Sequence, residues 1–226
     1  MPSELKELFY KSVISRIKND LKFFNFKDSN SLLQKLGFEN DHRQSLAIRT
    51  GKKIESAVSD TIIEYANLHS INLKRLAPFI TKTVAKKNHD GEQQIDYHFS
   101  RSDGNNEITW VVEIKTNPEL DTGKQQSVVA QLENAYNIVR PKNNGDVVKL
   151  GYASLSYPPK SAQFKKMQKV KKDLLLRGID CSLYLINSLM VETLDLPAAE
   201  FTDLELDEAI KEIGVYFRKE LNDKRV

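Results

Sequence analysis

The chain has 226 residues, of which 40% are hydrophobic and 29% charged, with a single cysteine and a net charge of +3. A chain of this length buries a core without disulfides or structural metal, and its composition is not collagen-like, disordered or membrane-spanning. No apolar run reaches the ~20 residues of a bilayer span, Met1–Lys6 lacks a signal-peptide profile, and lone Cys181 suits a reducing compartment as a buried, inert thiol, so a cytoplasmic protein without membrane contact is expected.

From Glu4 to Phe24, Leu5, Leu8, Phe9, Val13, Ile14, Ile17 and Leu21 recur at intervals of three and four, which predicts an amphipathic helix (4–24) whose stripe is core. A second helix is predicted from about Asp41 to His69, with Glu55 inside it. Ile95–Arg101 and Ile108–Asn117 read as strands joined through the turn-rich Ser102–Asn106, hence a hairpin. Thr122–Val139 returns to helical spacing through Val128, Val129, Leu132, Ala135, Tyr136 and Val139, and Val147–Ser156 reads as a strand. The basic stretch Ser161–Arg177 reads as a helix, Cys181–Asn187 as a strand, and a last helix fills about 204–222. This alternation predicts one α/β domain over residues 1–226, with a mixed central β-sheet flanked by helices.

Charge is unevenly spread. Residues 140 to 180 carry ten basic residues against three acidic ones, a net of +7, whereas from Met190 onward ten acids oppose five bases, a net of −5. A basic region beside an acidic tail suits a protein that presents one face to a polyanion.

The informative stretch is Ile108-Thr109-Trp110-Val111-Val112-Glu113-Ile114-Lys115, an apolar run of the buried-strand kind broken by a carboxylate and an ammonium. With a side-chain period of two, Glu113 and Lys115 share one face and Val112 and Ile114 the other. A buried, unpaired charge is expensive, so the pair is either solvated at a strand end or organised around an ion or a phosphate. Asp96 lies on the preceding strand, where hairpin pairing brings it beside Glu113. Asp90 and Asp103 are rivals for that position, in loop-like surroundings. Two adjacent carboxylates suit Mg2+, with water and phosphate oxygens completing its shell. Lys115 then lies beside the scissile phosphate, able to orient water and offset developing negative charge.

These residues resemble the PD-(D/E)xK nuclease superfamily: Asp96, sixteen intervening residues, then Glu113-Ile114-Lys115, with Ile95 where the motif's name places proline. The resemblance implies a restriction endonuclease-like core over about 51–156, with the helices at 4–24 and 204–222 as additions. It implies that Asp96 and Glu113 ligate Mg2+, that Lys115 is catalytic, and that Glu55, on the helix before the meander, is a further acidic site residue. Gln131 and Tyr136 resemble a glutamine and tyrosine element of some nuclease branches. A compact chain without translocase motifs looks most like a type II restriction endonuclease. That family implies a homodimer cutting double-stranded DNA at a palindrome, with a cognate DNA methyltransferase as a system partner rather than a complex.

Candidate DNA contacts are Asn117, Thr122, Lys124, Gln125 and Gln126 beyond the catalytic strand, and the Lys142-Asn143-Asn144 turn. Asn and Gln pair bidentately with adenine, which favours an A·T-rich site. Lysines of the 161–177 helix are candidates for phosphate contacts. Competing readings are a structure-selective or repair nuclease, and a non-catalytic DNA-binding protein in which Glu113 and Lys115 form a surface ion pair.

Overall fold

The computed structural model describes residues 3–20, 44–77, 80–82, 92–115, 122–139, 145–155 and 162–223. The chain is α/β. Its elements in order are α1 (Glu4–Asp20), α2 (Gln44–Leu68), β1 (Leu73–Arg75), β2 (Ile80–Lys82), β3 (Glu92–Gln94), β4 (Tyr97–Asp103), β5 (Asn106–Lys115), α3 (Thr122–Ile138), β6 (Val147–Ser154), α4 (Ala162–Leu175), β7 (Ser182–Leu185), α5 (Ile186–Leu194) and α6 (Asp203–Asp223). They group into two compact units, 1–69 with 190–226, and 70–189.

In the first unit α1 packs against α2 and α6. The stripe read from the sequence is core: Leu5, Phe9, Val13 and Ile17 are buried, as are Ile54, Val58 and Ile62 of α2 and Leu206, Ile213 and Phe217 of α6. A capping box starts α6: Thr202 N–H donates to Glu205 Oε2 at 2.9 Å, and Glu205 N–H donates back to Thr202 Oγ1 at 3.3 Å. The second carboxylate oxygen of Glu205 accepts the Ser3 N–H at 3.0 Å, so one side chain serves the starts of both α1 and α6. Lys6 is buried and bridges Glu208 and Glu212 at 3.0 and 3.1 Å. Desolvation lowers its pKa, but the two carboxylates outweigh that and hold it above the ordinary value.

The second unit is built on a five-stranded mixed sheet, ordered β1-β4-β5-β6-β7. β1 is antiparallel to β4 and β4 to β5, whereas β6 is parallel to β5 and β7 is parallel to β6. A separate antiparallel pair joins β2 to β3. The predicted hairpin is β4–β5, with a tighter turn than the sequence suggested: the strands continue to Asp103 and Asn106, leaving only Gly104 and Asn105 between them. Gly104 has φ 61°, which suits the first central position of a type II′ turn.

Parallel neighbours need crossovers, and α3 and α4 supply them. The two helices pack on each other and cover one sheet face. There Val128, Val129, Leu132 and Ala135 of α3 and Met167, Val170 and Leu174 of α4 join Val111, Leu150 and Tyr152. On the opposite face Gly151 lets the Tyr184 ring approach, since a Cβ there would lie 2.6 Å from Tyr184 Cε2.

Two sequence readings need correction. The strand expected over Cys181–Asn187 covers only Ser182–Leu185, and α5 begins at Ile186, inside the same apolar run. Tyr136, counted in the apolar stripe of α3, is exposed.

Candidate active site

β5 is buried from Thr109 to Ile114 because it is central, with a strand on either side and α3 across one face. Glu113 is part of that buried run at 2% exposure. It is therefore not a solvated strand-end residue. Lys115, the last residue of β5, is one-third exposed on its side chain.

Asp96 precedes β4. The β4–β5 register pairs Tyr97 with Val112, and continuing it by one residue sets Asp96 opposite Glu113. Asp96 Oδ2 accepts the Ile114 N–H at 3.2 Å and the Lys115 ammonium at 3.4 Å. Lys115 Nζ also pairs with Glu113 Oε1. One ammonium therefore bridges the two carboxylates that the sequence singled out. Asp103 is excluded from the cluster, because it pairs with Asn106 at the far end of the hairpin, about 23 Å along β5 from Glu113 at ~3.3 Å per residue. Asp90 lies outside the described residues.

The other oxygen of the Glu113 carboxylate, Oε2, accepts a 2.8 Å hydrogen bond from Gln131 Nε2, and Gln131 is itself 1% exposed. Helix α3 is held by its apolar stripe over the face that carries Glu113, so Gln131 meets the carboxylate on that face. Its partner in the sequence pattern, Tyr136, is exposed. In the parallel β5–β6 ladder Glu113 pairs with Tyr152 and Lys115 with Ser154, both fully buried. The cluster thus sits toward the carboxyl ends of two parallel strands, where open α/β sheets commonly bind ligands.

Asp96, Glu113 and Lys115 sum to −1, an excess that a divalent cation can neutralise. Their hard oxygen donors match the one or two carboxylates with which Mg2+ is usually held. Among the described residues no group of three or more His, Cys, Asp or Glu side chains is arranged for a metal, so the fit rests on this pair. His98, on β4, hydrogen-bonds the Ala77 carbonyl oxygen through Nδ1 at 3.0 Å. Burial pushes its pKa below the usual histidine value, against an upward pull from the Ala77 carbonyl.

Glu55 is on α2, in the first unit, and partly buried. Gln125 and Gln126 are in the first turns of α3, the former buried and the latter exposed. Thr122 and Lys124 are in the same helix, their side chains outside the described set, and Asn117, Lys142, Asn143 and Asn144 lie outside the described residues altogether. On α4, Lys165, Lys169 and Lys172 are exposed at positions i, i+4 and i+7, opposite the buried Met167, Val170 and Leu174. Ser154 was not singled out by sequence reasoning, and an isolated serine near a strand end carries no signal from which to find it.

No protein-family model matches the chain, and no curated protein matches it.

Proposed function

We propose that the chain is a Mg2+-dependent endonuclease of the PD-(D/E)xK kind that hydrolyses phosphodiester bonds in double-stranded DNA. The observation that carries the reading is the convergence of Asp96 and Glu113 on Lys115 at the end of a buried central strand. A buried carboxylate there costs stability, and packing alone gives no reason to keep it. The order of α2, the β1-β4-β5 meander, α3 and β6 also matches the core expected of that superfamily.

In this reading Asp96 and Glu113 would hold the cation, which when bound would supply Lewis-acid polarisation of the phosphate and a more acidic attacking water. Gln131 fixes the rotamer of the Glu113 carboxylate. Lys115 turns its ammonium to the scissile phosphate and offsets the charge that builds on its oxygens. Water oxygen bonds to phosphorus, the ester P–O bond breaks, and one water proton ends on the leaving sugar oxygen. Exposed lysines of α4 and Gln126 are candidates for DNA contacts.

Within this class we favour a type II restriction enzyme, acting as a homodimer in the cytoplasm at an A·T-rich palindrome. Among the described residues no helix is long and apolar enough to cross a bilayer. A second reading, a DNA-binding protein with an inert ion cluster, draws on the pairing of Lys115 with both carboxylates.

The test incubates the protein and Glu113→Ala with long duplex DNA of known sequence, with Mg2+ and with EDTA. Discrete Mg2+-dependent fragments, absent from the variant, are expected. A smear or cutting confined to branched DNA turns the reading toward a structure-selective nuclease. No cleavage by folded protein with any of several metals refutes catalysis and leaves the binding protein.

A further inference from the structure

Ser154 ends β6 as the ladder partner of Lys115. In a parallel ladder paired residues project to the same face, and the period of two places Ser154 on the side of Leu150 and Tyr152, the side covered by α3 and α4. Its side chain is fully buried, and its hydroxyl finds no hydrogen-bond partner among the described residues. A hydroxyl buried in this way costs stability that alanine would not. Ala153, its neighbour on β6, is just as buried, so a small apolar residue is tolerated at this depth of the strand.

Lys115 pairs with the carboxylates of both Asp96 and Glu113. For those carboxylates to ligate a cation, the ammonium must leave them. An ammonium has three donors and accepts nothing, so it needs an oxygen to move to. We infer that Ser154 Oγ is that oxygen: Ser154 is a positioning residue that receives the Lys115 ammonium when Asp96 and Glu113 turn to a divalent cation, and holds it toward the phosphate. The inference rests on the nuclease reading, and it adds a residue outside the carboxylate–lysine motif.

The experiment compares wild type, Ser154→Ala and Ser154→Cys. It measures thermal unfolding without metal, Mg2+ affinity by calorimetry on DNA-free protein, and steady-state cleavage. Cysteine keeps a γ atom in the place of the serine oxygen, somewhat larger, but is a weak hydrogen-bonding group. Both variants should unfold at or above the wild-type temperature without metal. Both should bind Mg2+ about tenfold more weakly and lose about tenfold in kcat at saturating Mg2+ with KM for DNA unchanged, the scale of one hydrogen bond to a charged group. Wild-type metal affinity and kcat in both variants overturn the role of Ser154 and leave the nuclease reading standing. Wild-type behaviour in the cysteine variant alone assigns the effect to volume and overturns the role of the hydroxyl. A lower unfolding temperature without metal in both variants shows a hydroxyl already bonded and overturns it too. If wild type neither binds Mg2+ nor cleaves, the nuclease reading fails and this inference fails with it.

Discussion

Replacing Glu113 tests both the burial of the site and its chemistry, and two substitutions separate them. Glu113→Ala removes a carboxylate that is 2% exposed, leaving the Gln131 amide without its acceptor and Lys115 with one carboxylate in place of two. An unmet buried donor costs about 1–3 kcal/mol. Breaking a buried ion pair costs about 3–5 kcal/mol, and here Asp96 spares part of it by keeping Lys115 paired. A loss of about 2–4 kcal/mol is expected, which at ~2–4 °C per kcal/mol for a chain of this size lowers Tm by roughly 4–16 °C. Glu113→Gln keeps a side-chain oxygen for Gln131 or Lys115 and brings the cluster from −1 to neutral, so its stability should stay within about 1 kcal/mol of wild type. Both variants should lose Mg2+-dependent cleavage. Urea titration followed by circular dichroism, with the DNA gel assay in parallel, reads both effects. An alanine variant within about 0.5 kcal/mol of wild type, the scale of an exposed ion pair, would refute the buried-cluster account. Cleavage at wild-type rates by the glutamine variant would refute metal ligation by Glu113.

Glu205→Ala strips acceptors from the first turns of α1 and α6 and should cost about 1–3 kcal/mol by urea titration, whereas an exposed helix position would cost a few tenths. Burial raises the Glu205 pKa, but backbone hydrogen bonds from Thr202 and Ser3 more than offset this and hold it below the usual carboxylate value. Its stabilisation is therefore complete above about pH 4.3 and lost as pH falls through the lower folded-state value, and Glu205→Gln should flatten that acid limb. Burial pushes the Cys181 thiol up to about 12. A disulfide reagent at pH 8 should label it no faster than the protein unfolds, and rapid labelling of the folded chain would contradict its burial. Replacing Lys165, Lys169 and Lys172 together by alanine should weaken binding to all DNA sequences alike and lower the salt slope by about 0.9 for each phosphate no longer neutralised; an unchanged slope would leave α4 as a solvated face.

Much of this architecture is legible in the residues alone. The stripe of α1, the alternation and turn chemistry of β4 and β5, and the amphipathic α4 each follow from local periodicity, which depends only on which residues recur every two or every three to four positions. Asp96, Glu113 and Lys115 were legible too, because charge is conspicuous in an apolar strand and a hairpin has few registers. Three-residue strands such as β1 and β2 were not, since so short a segment has no period to detect. The start of α5 was hidden because Ile186, Leu189, Met190 and Val191 are all buried, and a run buried on every side reads the same as strand or helix.

Only the tertiary structure decided the surroundings of the carboxylates. That Gln131 rather than Tyr136 meets Glu113 depends on how α3 is rotated over the sheet, which its whole apolar stripe sets at once. That Ser154 stands beside Lys115 depends on the register of two parallel strands separated by a helix. No short-range pattern encodes that register, because parallel pairing is fixed by packing over dozens of residues rather than by a turn.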